Sequence, residues 1–195
     1  EAFGAFYKKK HAGTFGLCGA ISFNGNKIIT TGGGGAILTN SKKIFTKIKF
    51  LATVAKKGER YDEVGYNYRM PSLNAALGIS QLNKINYIKK KKYLNHLRYK
   101  EFFKKSNSFS FMEDKDFISS NYWLNYIIFK SDDILNKKFF EFFNNKNIEV
   151  RKIWALNSEG NSYKKYPKMD LKISKYLSKR IVCIPSGVFN WKKIL

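Results

Sequence analysis

Carboxylates are scarce in this chain: 14 Asp and Glu stand against 37 Lys and Arg, for a formal net charge of +23. Arginine is scarce too, at 5 of those 37 basic residues. A charge this large raises nucleic-acid binding as a function class. The shortage of arginine speaks against it, because bidentate contacts to bases and phosphates favour the guanidinium group. Lysine, Asn, Ile, Tyr and Phe are abundant together, the mixture expected of an A/T-biased coding sequence, which adds lysine to any soluble surface. Cysteine is limited to Cys18 and Cys183, with no CxxC and no histidine cluster nearby. That excludes the usual zinc spacings and a disulfide scaffold, and it fits a reducing cytoplasm. Both thiols are expected to pack as small buried hydrophobes. No apolar run is long enough for a membrane span, and no leader segment or membrane partner is expected.

The 195 residues are 44% hydrophobic, enough for a core in one domain or two small ones. The chain opens on Glu1 in mid-pattern, so a preceding portion is expected. Tyr7 to His11 reads as a polar loop, and His11 and His96 are expected at the surface. Ala20 to Phe23, Ile28 to Thr31 and Ala36 to Thr39 read as short strands. Asn24-Gly25-Asn26 is turn chemistry. Ser41 reads as the N-cap of a helix from Lys42 to Val54. Lys56 to Glu63 reads as a loop. Tyr66 to Arg69 is extended, and a helix begins at Pro71 or Ser72 with Leu73, Ala76, Leu77, Ile79, Leu82 and Ile85 as its apolar face. A long basic helix over 86–105 follows. Its buried stripe is expected from Tyr87, Ile88, Leu94, Leu97, Phe102 and Phe103, with the lysines 89–92 solvated. Further strands are expected at Tyr122 to Lys130, Ile148 to Trp154 and Ile181 to Ile184. The helices between them run from Asp132 or Asp133 to Phe143 and from Leu171 to Lys179. That order suggests a small α+β domain.

One residue breaks the pattern. Lys27 stands alone between a tight turn and an apolar segment, whereas most lysines here lie in polar faces or runs. A desolvated lysine loses its proton easily and becomes a nucleophile toward carbonyl carbon. Ser22, five residues earlier, offers a hydroxyl for a phosphate. Arg69, beside Asn67, is a candidate anion-binding group. The same local pattern also fits a hairpin whose edge lysine points to solvent.

Three motifs in order, Ser22-Phe-Asn-Gly-Asn-Lys27 with Thr30-Thr31 and the glycines 32–35, Gly65-Tyr-Asn-Tyr-Arg-Met70, and Asn74-Ala-Ala-Leu-Gly-Ile-Ser-Gln-Leu82, closely resemble the DegT/DnrJ/EryC1/StrS family of pyridoxal-phosphate (PLP) dependent sugar aminotransferases. Val150-Arg-Lys-Ile-Trp154 and Ile184-Pro-Ser186 are similar to the branch that makes 4-amino sugars for nonulosonic acids such as legionaminic acid. The resemblance implies an α/β fold: PLP-dependent transferase fold type I, with the C-terminal part of the large domain (1–86), a bridging helix (87–105) and a small α+β C-terminal domain (106–195). It implies Lys27 as the Schiff-base and proton-transfer lysine, Ser22 as a PLP-phosphate ligand, and Asn67 as a ligand of the neighbouring subunit's phosphate in a homodimer with a shared active site. Glu1 matches a Gln or Glu near the PLP 3-hydroxyl. Asn24, Arg69 and Arg151 are weaker candidates for substrate binding. The implied reaction is transamination of a nucleotide-linked keto sugar at C4 with glutamate as donor, in surface polysaccharide or nonulosonic acid biosynthesis in the cytoplasm. No nucleic-acid or metal partner is implied. Lysine at 27 matches the aminotransferase branch rather than the sugar-dehydrating branch, which has histidine there. The family aspartate that pairs with the pyridine nitrogen falls before Glu1. The family commonly has Asp-Ile where Leu17-Cys18 stands, and Gly-Glu-Gly-Gly where Gly32 to Gly35 stand. The alternatives are an inactive remnant that acts through a partner chain and a basic nucleic-acid-binding protein.

Overall fold

The structure, a computed structural model, describes residues 1–111, 114–131 and 137–188. In chain order the elements are β1 (Phe6–Tyr7), β2 (Lys10–His11), β3 (Gly19–Ser22), β4 (Gly35–Leu38), α1 (Lys42–Ala52), β5 (Lys56–Lys57), β6 (Arg60–Tyr61) and α2 (Ser72–Asn83). Then follow α3 (Ile85–Phe103), β7 (Phe109–Phe111), β8 (Ile118–Ser119), β9 (Asn125–Phe129), α4 (Lys137–Asn144), β10 (Arg151–Lys152), α5 (Lys172–Ser178) and β11 (Ile181–Ile184). The chain divides into two compact units, residues 1–90 with 114–123, and residues 91–113 with 124–195.

In the first unit β3 and β4 pair antiparallel from Gly19–Leu38 to Ser22–Gly35. A second antiparallel sheet has the order β2-β1-β8. Lys8 and Lys9, at φ 46° and 65°, turn the chain between β1 and β2. Left-handed residues suit the twist of a two-residue hairpin, but lysines there give no Asn-Gly signal, so the expected loop is a hairpin. The expected loop at 56–63 likewise contains the hairpin β5–β6, turned at Gly58 with φ 61°. His11, expected at the surface, is half-buried. Its Nε2 accepts a hydrogen bond from Gly4 N at 2.9 Å, and Phe3 and Phe6 pack edge-on around its ring. Ser41 caps α1 as expected, its Oγ accepting from Ile44 N at 3.3 Å.

The helix α2 forms where the sequence places it, but its apolar stripe is not buried in its unit. Leu73 is 83% exposed and Ile79 62%, and Leu77 and Leu82 are exposed as well. Gly78 is the buried position, because α2 approaches Thr31 there. Cys18 is also exposed, not buried.

The second unit is built on an antiparallel sheet of order β10-β11-β9-β7. Alternation along β9 sends Asn125, Ile127 and Phe129 inward. Ile127, Phe129, Val150, Val182 and Ile184 make the core, and Phe103, Phe109, Phe139 and Phe143 pack against it. Phe109 and Phe129 meet edge-on at 4.6 Å. The expected strand from Ile148 to Trp154 shortens to β10, and the helix cap expected at Asp132 or Asp133 lies outside the described residues.

The burial on α3 departs from the expected stripe. Tyr87, Leu94, Leu97 and Phe102 are exposed, while Lys92 and Asn95 are buried. The reason is a main-chain clasp. Lys92 Nζ donates to Ser186 O at 2.5 Å, Asn95 Nδ2 to Gly187 O at 2.8 Å, and Tyr99 OH to Pro185 O at 2.9 Å. Polar side chains spaced three and four apart on one helical face therefore hold three successive carbonyls. Burial lowers the Lys92 ammonium pKa and pushes the Tyr99 phenol up to about 12. His96 is half-buried and hydrogen-bonds Asn125 Oδ1 at 3.1 Å.

Candidate active site

The site is set by how the chain leaves β3. Ser22 is the last residue of the strand, and the pairing with β4 resumes only at Gly35. The intervening segment is a loop closed on itself. Phe23 N donates to Gly34 O, and Thr31 N donates to Phe23 O, both at 2.9 Å. The expected strand over Ile28 to Thr31 is therefore absent. Its β-branched residues serve burial instead: Ile28 is 5% exposed and Ile29 2%. The two isoleucines pin the chain directly after Lys27. The turn before it is as expected, with Lys27 N donating to Asn24 O at 3.0 Å. Gly32 and Gly34 take φ of 78° and 98°, a backbone that four consecutive glycines adopt without strain.

Lys27 is thus presented between a turn and a buried anchor, and its side chain is 13% exposed. Nζ donates to Glu1 Oε1 at 2.8 Å. On another side it lies 4.1 Å from the centre of the Trp123 ring. Asn121, 6% exposed, links the two partners. Its Nδ2 donates to Glu1 O at 2.7 Å and Phe3 O at 3.0 Å, and its Oδ1 accepts from Trp123 N at 3.0 Å. Trp123 Nε1 donates to Asn26 O at 2.7 Å. Sequence reasoning named Glu1 and Lys27 but missed Trp123 and Asn121. The only available signal was a tryptophan, one of three in the chain, inside an aromatic segment.

The other named residues fall on three separate segments. Ser22 is half-buried at the end of β3, and its Oγ accepts from Asn24 N at 3.3 Å, a bond that leaves the hydroxyl proton available. Asn24 is exposed on the same turn as Lys27. Asn67 lies opposite Thr53 in an antiparallel bridge. Tyr66 N donates to Leu51 O at 2.7 Å and Tyr68 N to Ala52 O at 3.0 Å, so the last carbonyls of α1 hold this segment extended. Tyr66 and Tyr68 stack at 5.1 Å, and both Asn67 and Arg69 are exposed. Among the described residues, no hydrogen bond or ion pair joins either of them to Lys27. Arg151 belongs to the second unit, where it pairs with Glu149 at 3.1 Å.

The geometry is thus a loop-borne lysine backed by the β3–β4 hairpin, with α2 packed on its glycine loop. Helicobacter pylori PseC, described as an aminotransferase involved in pseudoaminic acid biosynthesis, superposes with a TM-score of 0.86 at 25% identity over 98% of this chain and 54% of that one. The chain belongs to the DegT/DnrJ/EryC1/StrS aminotransferase family, whose model matches residues 1–189. It is 34% identical to EpsN of Bacillus subtilis, provisionally named a pyridoxal phosphate-dependent aminotransferase, over 96% of this chain and 50% of EpsN. It is 37% identical to the UDP-4-amino-4,6-dideoxy-N-acetyl-beta-L-altrosamine transaminase of Campylobacter jejuni, over 62% of this chain and 34% of that protein. The chain spans about half the length of EpsN and of PseC.

Proposed function

We propose that the chain carries the lysine side of the active site of a PLP-dependent aminotransferase that acts on a nucleotide-linked keto sugar. The setting of Lys27 carries this reading: one largely buried amine, fixed by a turn and bracketed by a carboxylate and an indole face.

The donor set suits PLP. Lys27 Nζ is a primary amine for the aldehyde carbon, Ser22 Oγ a hydroxyl for the phosphate, and Glu1 a carboxylate for the ring hydroxyl. When bound, PLP supplies an electron sink for carbanion chemistry at the substrate carbon. Lys27 Nζ serves as base when neutral and as acid when protonated, and so carries the proton to and from that carbon. Glu1 Oε1 orients Nζ through the 2.8 Å hydrogen bond. The indole of Trp123 excludes water from one side of the amine. Asn67 is exposed in extended backbone, and in the proposed homodimer it reaches the phosphate site of the second copy. Asn24, Arg69 and Arg151 are the polar groups assigned to substrate. The family match and the names of the relatives support a nucleotide sugar as substrate; the proposal adds a C4 ketone, glutamate as donor, and a role in surface polysaccharide or nonulosonic acid synthesis. Two free thiols fit a cytoplasmic setting.

The test is reductive trapping. The chain is incubated with PLP, reduced with borohydride, and mapped by peptide mass spectrometry. Pyridoxyl label concentrated on Lys27 and lost in Lys27→Ala is the expected result. Label spread evenly over the lysines, with no preference for position 27, sinks the reading.

A further inference from the structure

We propose that Trp123 is a positioning residue for Lys27: its ring face holds the Nζ amine at the reacting point through the part of the cycle in which that amine is not covalently bound. The proposal rests on the reading of Lys27 given above.

A lysine side chain has four rotatable bonds, so a free amine disperses over many positions unless something holds it. Glu1 alone is a weak holder. It orients the amine from one side, but it is 60% exposed, and exposed ion pairs add little stability. The indole is a better one. Its ring centre is 4.1 Å from Nζ, within cation–π range, and tryptophan has the strongest face for a cation. The flat face also limits the arc through which the methylene stem can swing.

The ring is itself registered to the lysine. Its Nε1–H donates to the carbonyl of Asn26, the residue directly before Lys27, at 2.7 Å. Ring and lysine backbone therefore move together. Its main-chain N–H is held by Asn121 Oδ1, and the other end of that same buried amide holds the Glu1 and Phe3 carbonyls. One amide thus places both partners of the amine. Trp123 has no acidic or basic group, so it holds the amine without competing for the proton that Lys27 transfers.

Site-selective trapping tests this on the chain as it stands. In Trp123→Leu, which keeps apolar bulk but loses the flat face that limits the swing of the stem, pyridoxyl label on Lys27 relative to the other lysines of the same digest should fall about tenfold, the effect of a misplaced amine. Trp123→Phe keeps a face and should stay within about threefold of the unsubstituted chain. A fall in Lys27 label with circular dichroism and Tm unchanged separates positioning from a role in packing alone. If Leu retains the full preference for Lys27 while remaining folded by circular dichroism, the positioning role is overturned and the reading of Lys27 stands. If the unsubstituted chain shows no preference for Lys27, the reading of Lys27 itself fails.

Should Trp123→Leu not fold, the native ring decides. With Trp154→Phe and Trp191→Phe in place, Trp123 is the sole indole. Pyridoxyl trapped on Lys27 should then quench most of its emission, with no quenching in Lys27→Ala. Unchanged emission on a labelled Lys27 would separate ring from amine and overturn the proposal.

Discussion

Asn74 Nδ2 donates to the carbonyl oxygen of Thr31 at 2.5 Å, across 43 positions of chain. The bond ties the first turn of α2 to the glycine loop that follows Lys27. Thr31 is 2% exposed, so its carbonyl has little access to water if the amide is removed. Asn74→Ala should cost about 1–3 kcal/mol, the penalty of an unsatisfied buried acceptor. Thermal unfolding checks it, with a fall in Tm of several degrees expected and an unchanged Tm counting against the link.

The same junction predicts a conflict at Gly78. Alanine is the better helix former by about 1 kcal/mol. A Cβ there, however, would lie 2.9 Å from Thr31 Cγ2, a methyl whose rotamer is held by the hydrogen bond from Thr31 Oγ1 to Gly33 O. Gly78→Ala should therefore destabilise the chain in spite of its helix propensity. Thr31→Ser removes that methyl, and Gly78→Ala in the Thr31→Ser background should become neutral or stabilising. A double-mutant cycle by urea unfolding measures the coupling.

The ion pair of Lys27 and Glu1 should matter for orientation rather than stability. Glu1 is well exposed, so Glu1→Gln is expected to change unfolding free energy by less than about 0.5 kcal/mol while keeping a hydrogen-bond acceptor beside Nζ. A loss well above 1 kcal/mol in denaturant titration would show a structural pair instead.

The two thiols should differ in reactivity. Cys18 is exposed, whereas Cys183 is buried in β11, and that burial raises its pKa against an opposing effect of Arg151. A thiol-disulfide reagent at neutral pH should consume one thiol in the native chain and the second only after guanidinium is added. Two thiols of equal native reactivity would contradict the packing of β11.

Alkaline pH should weaken the second unit through Tyr99. Its folded-state pKa of about 12 exceeds the ordinary tyrosine value of 10.0. The folded chain then holds this proton more tightly than the unfolded chain. The contribution is complete below the ordinary value and is lost as pH rises toward the folded one. Unfolding free energy should decline across that window, and Tyr99→Phe should flatten the decline.

The parts readable from sequence were those encoded by near neighbours. Ser41 announces α1, Asn24-Gly25-Asn26 announces the turn, and the β-branched runs announce β9 and β11. Lys27 stood out because it broke a local pattern. What escaped depends on distant partners. Ile28 and Ile29 look like strand residues because burial and strand formation favour the same side chains. Trp123 reaches Asn26 across 97 positions, and no local pattern records that contact. Lys92 and Asn95 look like surface residues because their acceptors are backbone carbonyls, which have no identity in a sequence. The exposed face of α2 shows the converse: apolar spacing states that a face is sticky, not what covers it.

The clasp of α3 on residues 185–187 has a consequence for how the chain tolerates change. Every residue type presents the same carbonyl, so Lys92, Asn95 and Tyr99 read a path and not a spelling. Saturation mutagenesis should find the three donors intolerant and Gly187 permissive wherever the backbone course survives. Ser186 is the exception, because its Oγ also accepts from Asn125 N at 2.6 Å. Half of this contact is therefore written in an alphabet and half in a shape. A comparison of diverged copies would find the letters conserved on one side only.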